Sequence, residues 1–338
     1  MRLLVTGGAG FIGSNYARWV LARTDDAVVV YDALTYAGSR ESLRDVQGDP
    51  RLVFVQGDVC DREGLARAMA GCDAVVHFAA ESHVDRSIAA PDAFVHTNCD
   101  GTNVVCDTAR QLGLRKVVQV STDEVYGSIG EGSFAETDRL APRSPYSASK
   151  AGADLIALAY WETFGLPVSI TRSSNNFGPF QHPEKLIPLF TTSLLDGRTV
   201  PLYGDGLNVR DWCHVDDNCA AIDAVLRLGR PGEIYNIAGG NELTNRDLTE
   251  RLLALCGRDE SFVRYVDDRL GHDRRYSVDA AKIAGLGWSP GRELDEALVS
   301  TVDWYRGNRW WWEPLSKAMG VGAAEGAGGD RGAGEARR

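Results

Sequence analysis

Leu3-Leu4-Val5-Thr6-Gly7-Gly8-Ala9-Gly10-Phe11-Ile12-Gly13 is the stretch on which the reading of this chain turns. A short apolar run breaks into glycines, and a helical pattern follows over 12–22. Gly7, Gly10 and Gly13 make a GxxGxxG spacing rather than GxGxxG. Strand, glycine turn and helix in that order let backbone approach a pyrophosphate closely while the helix N-terminus faces its charge. Glycine turns also serve merely to connect elements, so the next element decides. The following apolar run, 28–31, ends at Asp32. A carboxylate there accepts hydrogen bonds from ribose hydroxyls and repels a 2′-phosphate, which predicts NAD rather than NADP. Asp58, in Gly57-Asp58-Val59, reads either as an adenine contact or as a turn cap.

Further apolar runs at 52–56, 74–78, 116–121 and 167–171 are rich in Val and Ile, as strands buried on both faces are. Helical patterns at 62–69, 91–112 and 146–164 separate them. This alternation predicts an α/β fold, a doubly wound parallel sheet, over residues 1–172. Beyond Arg172, Gly and Pro punctuation at Gly178-Pro179, Gly204–Gly206 and Pro231-Gly232 marks a smaller α/β lobe, mainly 173–315, that faces the substrate. The segment 233–238 is expected to return to the main sheet. The Gly/Ala-rich tail, 319–338, buries too little apolar surface to offset its ordering entropy and is expected to be disordered. Trp310-Trp311-Trp312, just before it, reads either as a helix end packed on the core or as a partner surface.

The 338 residues carry 36 Lys and Arg against 47 Asp and Glu, a net charge of −11 with no basic block, which argues against nucleic acid as a partner. No apolar run approaches bilayer length, and Met1-Arg2 enters the first strand with no room for a signal peptide. The seven cysteines are odd in number and form no CxxC pair, so they read as buried thiols in a reducing cytoplasm. His77, Glu81, His83 and Asp85 invite a metal reading, but alternation along an extended segment sends neighbours to opposite faces and no second ligand cluster is evident; no metal is expected. The adjacent Cys213 and His214 diverge and make a poor nucleophile pair.

Tyr146 and Lys150 stand four residues apart on a helical pattern and therefore share a face. A lysine ammonium near a phenol favours the phenolate, so Lys150 is expected to lower the pKa of Tyr146 and make it a usable base. Lysine occurs only five times in the chain, which makes a chance surface pairing a poor explanation.

Tyr146-Ser147-Ala148-Ser149-Lys150, with Thr122 ahead of it, resembles the Thr–Tyr–Lys set of the extended short-chain dehydrogenase/reductases, which are Rossmann proteins. Ser121-Thr122-Asp123-Glu124-Val125-Tyr126-Gly127 narrows the likeness to the nucleoside-diphosphate-hexose 4,6-dehydratases, since elimination of water needs one group to remove a proton and another to protonate the departing hydroxyl. Further segments extend the match to everything except the tail, among them 79–87, Ser174-Asn175-Asn176-Phe177-Gly178-Pro179, Pro183-Glu184-Lys185, Asn208-Val209-Arg210-Asp211-Trp212 and Gly271-His272-Asp273-Arg274-Arg275-Tyr276. Phe177 stands where tyrosine is usual, and Leu270 where a proline is expected.

The resemblance implies a lyase with tightly bound NAD that acts on a nucleoside-diphosphate hexose, dTDP-glucose in the first place. Tyr146 would take the proton of the 4-hydroxyl, Thr122 would hold the 4-oxygen, Glu124 would remove the proton from carbon 5, and Asp123 would protonate the leaving 6-hydroxyl. Asp123 must then be neutral at neutral pH, through burial and its acidic neighbour. Implied NAD contacts are Gly7, Gly10, Phe11, Ile12, Gly13, Asp32, Ala33, Leu34, Thr35, Asp58, Val59, Phe78, Ala79, Ala80, Ser82, Thr97, Tyr146, Lys150 and Asn176. Implied substrate contacts are Ser82, Thr122, Asn175, Lys185, Leu186, Pro201, Leu202, Tyr203, Arg210, Asn245, Asp268, Arg269 and His272. Arg210 and Lys185 suit a diphosphate, although Arg210 could instead pair with Asp211 or Asp216; Asn245 also reads as a helix N-cap. A homodimer through helices 91–112 and 146–164 is implied, with Ile156, Leu158 and Ala159 spreading apolar surface over a second face. A UDP-sugar 4-epimerase, a UDP-glucuronate decarboxylase and a non-catalytic NAD-binding protein are the alternatives, and the Asp123-Glu124 pair and the intact Thr122, Tyr146 and Lys150 weigh against them.

Overall fold

The computed structural model describes residues 1–268 and 271–319. Arg269, Leu270 and the tail from 320 onward, with the expectations placed on them, lie outside the described residues.

The strands in chain order are β1 (Arg2–Thr6), β2 (Ala27–Asp32), β3 (Leu52–Gln56), β4 (Ala74–His77), β5 (Lys116–Thr122), β6 (Val168–Ser173), β7 (Asn175–Phe177), β8 (Val200–Tyr203), β9 (Val209–His214), β10 (Ile234–Ile237), β11 (Glu242–Thr244) and β12 (Val263–Val266). Seven of them form one sheet in the order β10-β6-β5-β4-β1-β2-β3, with every pairing parallel. This is a doubly wound Rossmann sheet, and the switch point between β1 and β4 opens a crevice at the carboxyl ends of the strands.

Side-chain alternation builds two cores from the same strands. Leu3, Val5, Val28, Val30 and Val76 face one way, onto Tyr16, Val20, Ile222 and Val225. Leu4, Val29, Val75, Val117 and Ile170 face the other way, onto Leu65, Met69, Val105 and Ala157. Each fully buried Leu or Val contributes about 1.5–3 kcal/mol relative to exposure; the strands also bury polar residues, and Thr6 and His77 among them hydrogen-bond each other. β3, at the sheet edge, is only partly covered, and its Val53 is exposed.

The smaller lobe holds the three-stranded sheet β11-β9-β7 and the parallel pair β12-β8. Phe177, Phe190, Leu194, Trp212, Leu252 and Leu298 form its core. Trp311 and Trp312 are buried against Tyr305, while Trp310 is 42% exposed and takes Arg44 over its ring, so the run is mostly a helix packed on the core.

Two expectations change in detail. The 91–112 segment is wound as a helix over Pro91–Phe94, a π-helical stretch over Val95–Asp100 and a helix over Gly101–Gln111. The widened turn serves Asn98, whose amide clasps Glu81 N and O and donates to Ser149 Oγ at 2.8 Å. Of the cysteines, Cys106, Cys213 and Cys219 are buried; Cys60, Cys72, Cys99 and Cys256 are partly exposed, and all seven are unpaired.

Candidate active site

The glycine turn closes so tightly that side chains cannot enter. Gly7 has φ +65°, and a Cβ there would fall 2.6 Å from Ala79 N; one on Gly13 would fall 2.3 Å from Gly7 O. The helix Phe11–Arg23 starts at Gly10 without a side-chain cap, so its first N–H groups have no acceptor within the helix and face the crevice floor. Asp32 is fixed at the end of β2 by Ala9 N on Oδ2 (2.9 Å) and Leu34 N on Oδ1 (2.8 Å). A tight, side-chain-free turn, a helix N-terminus and a fixed carboxylate fit an NAD dinucleotide.

The crevice over this turn is lined by Gly7, Gly10, Phe11, Ile12, Gly13, Asp32, Ala33, Thr35, Asp58, Val59, Phe78, Ala79, Ala80, Ser82, Thr97, Tyr146 and Lys150. Asp58 serves both of its readings, since its Oδ1 also accepts from Cys60 N at 2.8 Å. Leu34 and Asn176 do not line the crevice. Leu34 takes a left-handed conformation, φ +55°, and serves by holding Asp32; Asn176 knits its own loop, donating to Ser174 O and accepting from Gln181 Nε2. Gln181, His182 and Glu184 also line the crevice, although they were not among the implied cofactor contacts, because they come from an irregular stretch beyond β7.

A second cleft joins the first at Ser82, Glu184 and Lys185. Glu124, Asn175, Leu186, Pro201, Leu202, Tyr203, Arg210, Asn245 and His272 line it, together with Asp273 and Tyr276, which belong to the Gly271–Tyr276 segment but were not among the implied substrate contacts. Arg210 is buried, donates to Val209 O and Asp273 O at 2.8 Å, and lies over the Tyr276 ring. Asp211 instead accepts from Gly239 N and Asn241 N, and Asp216 pairs with Arg292. Thr244, not Asn245, caps its helix, accepting from Asp247 N. The Oδ1 atoms of Asn175 and Asn245 are buried without a partner among the described residues. Asp268 lies off the cleft walls and bonds His272 Nδ1 at 2.6 Å, while Thr122 is buried, lines neither cleft and hydrogen-bonds Tyr146, which lines the first.

Between the clefts stand the reactive groups. The helix Pro145–Phe164 begins with a capping box, Ser144 against Ser147, and with Pro145 in its first turn, which fixes Tyr146 and Lys150 at its start. At the end of β5, Thr122 Oγ1 accepts from Glu124 N at 3.2 Å and starts a short turn over Asp123–Tyr126 that leaves Asp123 buried and Glu124 lining the cleft. Asp123 is 3% exposed; its Oδ1 accepts from Thr122 Oγ1 at 3.3 Å, and its Oδ2 is buried without a partner among the described residues. Burial first, and Glu124 second, hold its pKa well above the carboxylate range. That shift favours the protonated form, which is the form with a proton to give.

Tyr146 departs from expectation. Burial, aided by Glu124, raises its pKa above the usual tyrosine value, and a hydrogen bond with Thr122 pulls the other way. Lys150 does not counter this, because its Nζ donates to Val120 O at 2.6 Å and burial pushes its own pKa down to about 8. His77 is a core histidine, hydrogen-bonded between Thr6 and Thr102, with its pKa lowered by burial to about 3. Among the described residues no group of three or more His, Cys, Asp and Glu could hold a metal.

Comparison with known proteins gives a consistent picture. The family model for GDP-mannose 4,6 dehydratase matches residues 4–301. The chain is 56% identical over 324 residues to the dTDP-glucose 4,6-dehydratase of Streptomyces antibioticus, covering 94% of this chain and 96% of that one. A crystal structure of a dTDP-glucose 4,6-dehydratase from Streptomyces venezuelae, with NAD and TYD bound, superposes with a TM-score of 0.92 at 59% identity, covering 93% of this chain and all of that one. A UDP-glucose 4-epimerase from Thermus thermophilus in complex with NAD is more distant, with a TM-score of 0.85 at 33% identity over 91% of this chain and 100% of that one.

Proposed function

Because the chain belongs to the GDP-mannose 4,6 dehydratase family, we propose that it works as an NAD-dependent hydro-lyase that converts dTDP-glucose to dTDP-4-keto-6-deoxyglucose. The observation that carries this reading is Asp123. A buried carboxyl with an unpartnered oxygen, beside Glu124 on the cleft wall, is an acid–base pair that an epimerase does not need.

NAD held in the crevice over the glycine turn would supply the hydride acceptor and donor for carbons 4 and 6. The protein supplies the proton chemistry. Tyr146 Oη accepts the proton of the 4-hydroxyl, and Thr122 Oγ1 holds the resulting carbonyl oxygen and polarises it. The ketone acidifies the proton on carbon 5, which Glu124 removes. Asp123 protonates the departing 6-hydroxyl, so that water leaves, and Glu124 returns a proton to carbon 5. Tyr146 sits above its usual pKa range in the protein alone, and an oxidised nicotinamide bound in the crevice would supply positive charge that favours its phenolate. Lys185 and Arg210 take the diphosphate, with Asn175 and Asn245 offering unpaired buried carbonyls to the nucleotide and sugar.

We assign residues 1–172, with 233–238, to NAD, and 173–315 mainly to the sugar nucleotide. The working form is read as a homodimer, since Leu155 (59% exposed) and Phe164 (55%) leave apolar surface on the Tyr146 helix; sedimentation at twice the 36.7 kDa chain mass supports this, and the chain mass overturns it. Seven unpaired thiols suit the cytoplasm. The reaction itself is tested with dTDP-glucose deuterated at carbon 4: deuterium recovered at carbon 6 of the product supports it, and loss of the label to solvent refutes it.

A further inference from the structure

Residues 178–185, which follow β7, contain a non-glycine residue in the left-handed region, Phe180 at φ +66°. Such a conformation persists only where the surroundings enforce it. Here the Phe180 ring lies 4.6 Å from that of Trp304 and 5.5 Å from that of Trp311, with the Arg18 guanidinium 3.9 Å from its centroid. Backbone on both sides is held as well: Asn15 Nδ2 donates to Pro179 O at 2.9 Å, and Tyr305 Oη donates to Gln181 O at 2.6 Å.

From this anchor the segment runs along the cofactor crevice, which Gln181, His182, Glu184 and Lys185 line. Its far end is tied to two other loops. Tyr36 Oη donates to Glu184 Oε1 at 3.1 Å, and Lys185 Nζ donates to Ser82 O at 2.7 Å. Tyr36 follows β2 and Ser82 follows β4, the two strands that flank β1, whose carboxyl end carries the glycine turn. A segment joined to both loops therefore bridges two sides of the crevice that the turn also lines. The tie is well enclosed: the Glu184 side chain is 9% exposed, both His83 Nε2 and His182 Nδ1 lie 3.8 Å from its Oε2, and Arg86 stacks 3.7 Å over the Tyr36 ring.

We propose that residues 178–185 form a strap that closes over bound NAD and retains it from one turnover to the next, with Tyr36–Glu184 as its clasp and the C-terminal tryptophans as its anchor. The inference rests on the reading above in one respect: a reaction that restores the cofactor each cycle gives it no reason to leave. Tyr36, Glu184 and Phe180 are positioning residues.

The test uses full-length holoenzyme and the variants Tyr36→Phe and Trp311→Leu. Tyr36→Phe keeps the ring under Arg86 and removes one donor, so folding is preserved even if Trp311→Leu disturbs it. After desalting, bound NAD is measured by chromatography of the denatured protein, and its release rate by trapping free NAD with a second dehydrogenase; neither readout involves sugar turnover. Release from Tyr36→Phe is expected to be about tenfold faster, the effect of losing one hydrogen bond to a charged group. Its KM for added NAD rises by more than its kcat falls. Release within about twofold of wild type overturns the strap. A lowered kcat at saturating NAD with unchanged release also overturns it, since the clasp would then serve the sugar site. Wild-type protein that keeps NAD but leaves dTDP-glucose untouched would count against the dehydratase reading and leave the strap standing.

Discussion

Replacing Asp123 by asparagine isolates the step that separates dehydration from simple oxidation. The two side chains are nearly isosteric, and asparagine keeps an oxygen for the 3.3 Å bond from Thr122 Oγ1, so the 3% exposed site stays packed. What is lost is a transferable proton at the unpartnered Oδ2. A positioned general acid contributes about 10²–10⁴-fold, or about 3–5 kcal/mol of barrier, and Asp123→Asn is expected to slow water loss by that factor. Tyr146 and Glu124 remain, so oxidation at carbon 4 and exchange of the carbon 5 proton with deuterated solvent continue. The assay is rapid quench with mass spectrometry of the sugar nucleotide, alongside absorbance of the reduced nicotinamide, which should accumulate in the variant. The raised pKa of Asp123 also fixes a pH trend: the acid is protonated below that pKa, so wild-type elimination falls as pH rises through it, and the variant lacks this limb. Dehydration by Asp123→Asn within about threefold of wild type refutes the reasoning.

Other changes should separate in kind. Gly13→Ala would place a Cβ 2.3 Å from Gly7 O and 2.9 Å from Gly8 Cα; loss of copurifying NAD with lowered thermal stability is expected, measured by nucleotide content and calorimetry. Tyr146→Phe should stop oxidation itself, with kcat down by about 10²–10⁴ and no reduced nicotinamide formed, while dTDP-glucose affinity by titration calorimetry stays within a few-fold. His77, neutral in the core with a pKa near 3 against 6.5 unfolded, favours the folded state fully above 6.5, and that stability is lost as pH falls toward 3. The slope is at most about 1.4 kcal/mol per pH unit, and His77→Gln should flatten it in urea unfolding across that window.

The central sheet was legible because its strands are buried on both faces, so runs such as Leu3-Leu4-Val5 and Val28-Val29-Val30 are continuously apolar. The glycine turn and the Tyr146–Lys150 pair were legible because each is local: the turn needs residues without a Cβ, and one helical turn separates the pair. The π-helical stretch at Val95–Asp100 left no local signal, since it exists to bring Asn98 to Glu81 and Ser149, which lie elsewhere in the chain. Gln181, His182 and Glu184 gave no local sign of lining the cofactor crevice for the same reason, and the left-handed Phe180 is enforced by tryptophans more than 120 residues away. The ionisation of Tyr146 was read from the neighbouring lysine alone, whereas burial and Glu124 raise its pKa in the folded protein and Lys150 Nζ is turned to Val120 O.

The most direct test of the account is mass spectrometry of dTDP-glucose after incubation with the purified protein, with and without added NAD, and with UDP-glucose and UDP-glucuronate in parallel. The account predicts that dTDP-glucose loses one water even where no NAD is added. Intact dTDP-glucose together with loss of carbon dioxide from UDP-glucuronate would contradict it and put a decarboxylase in its place.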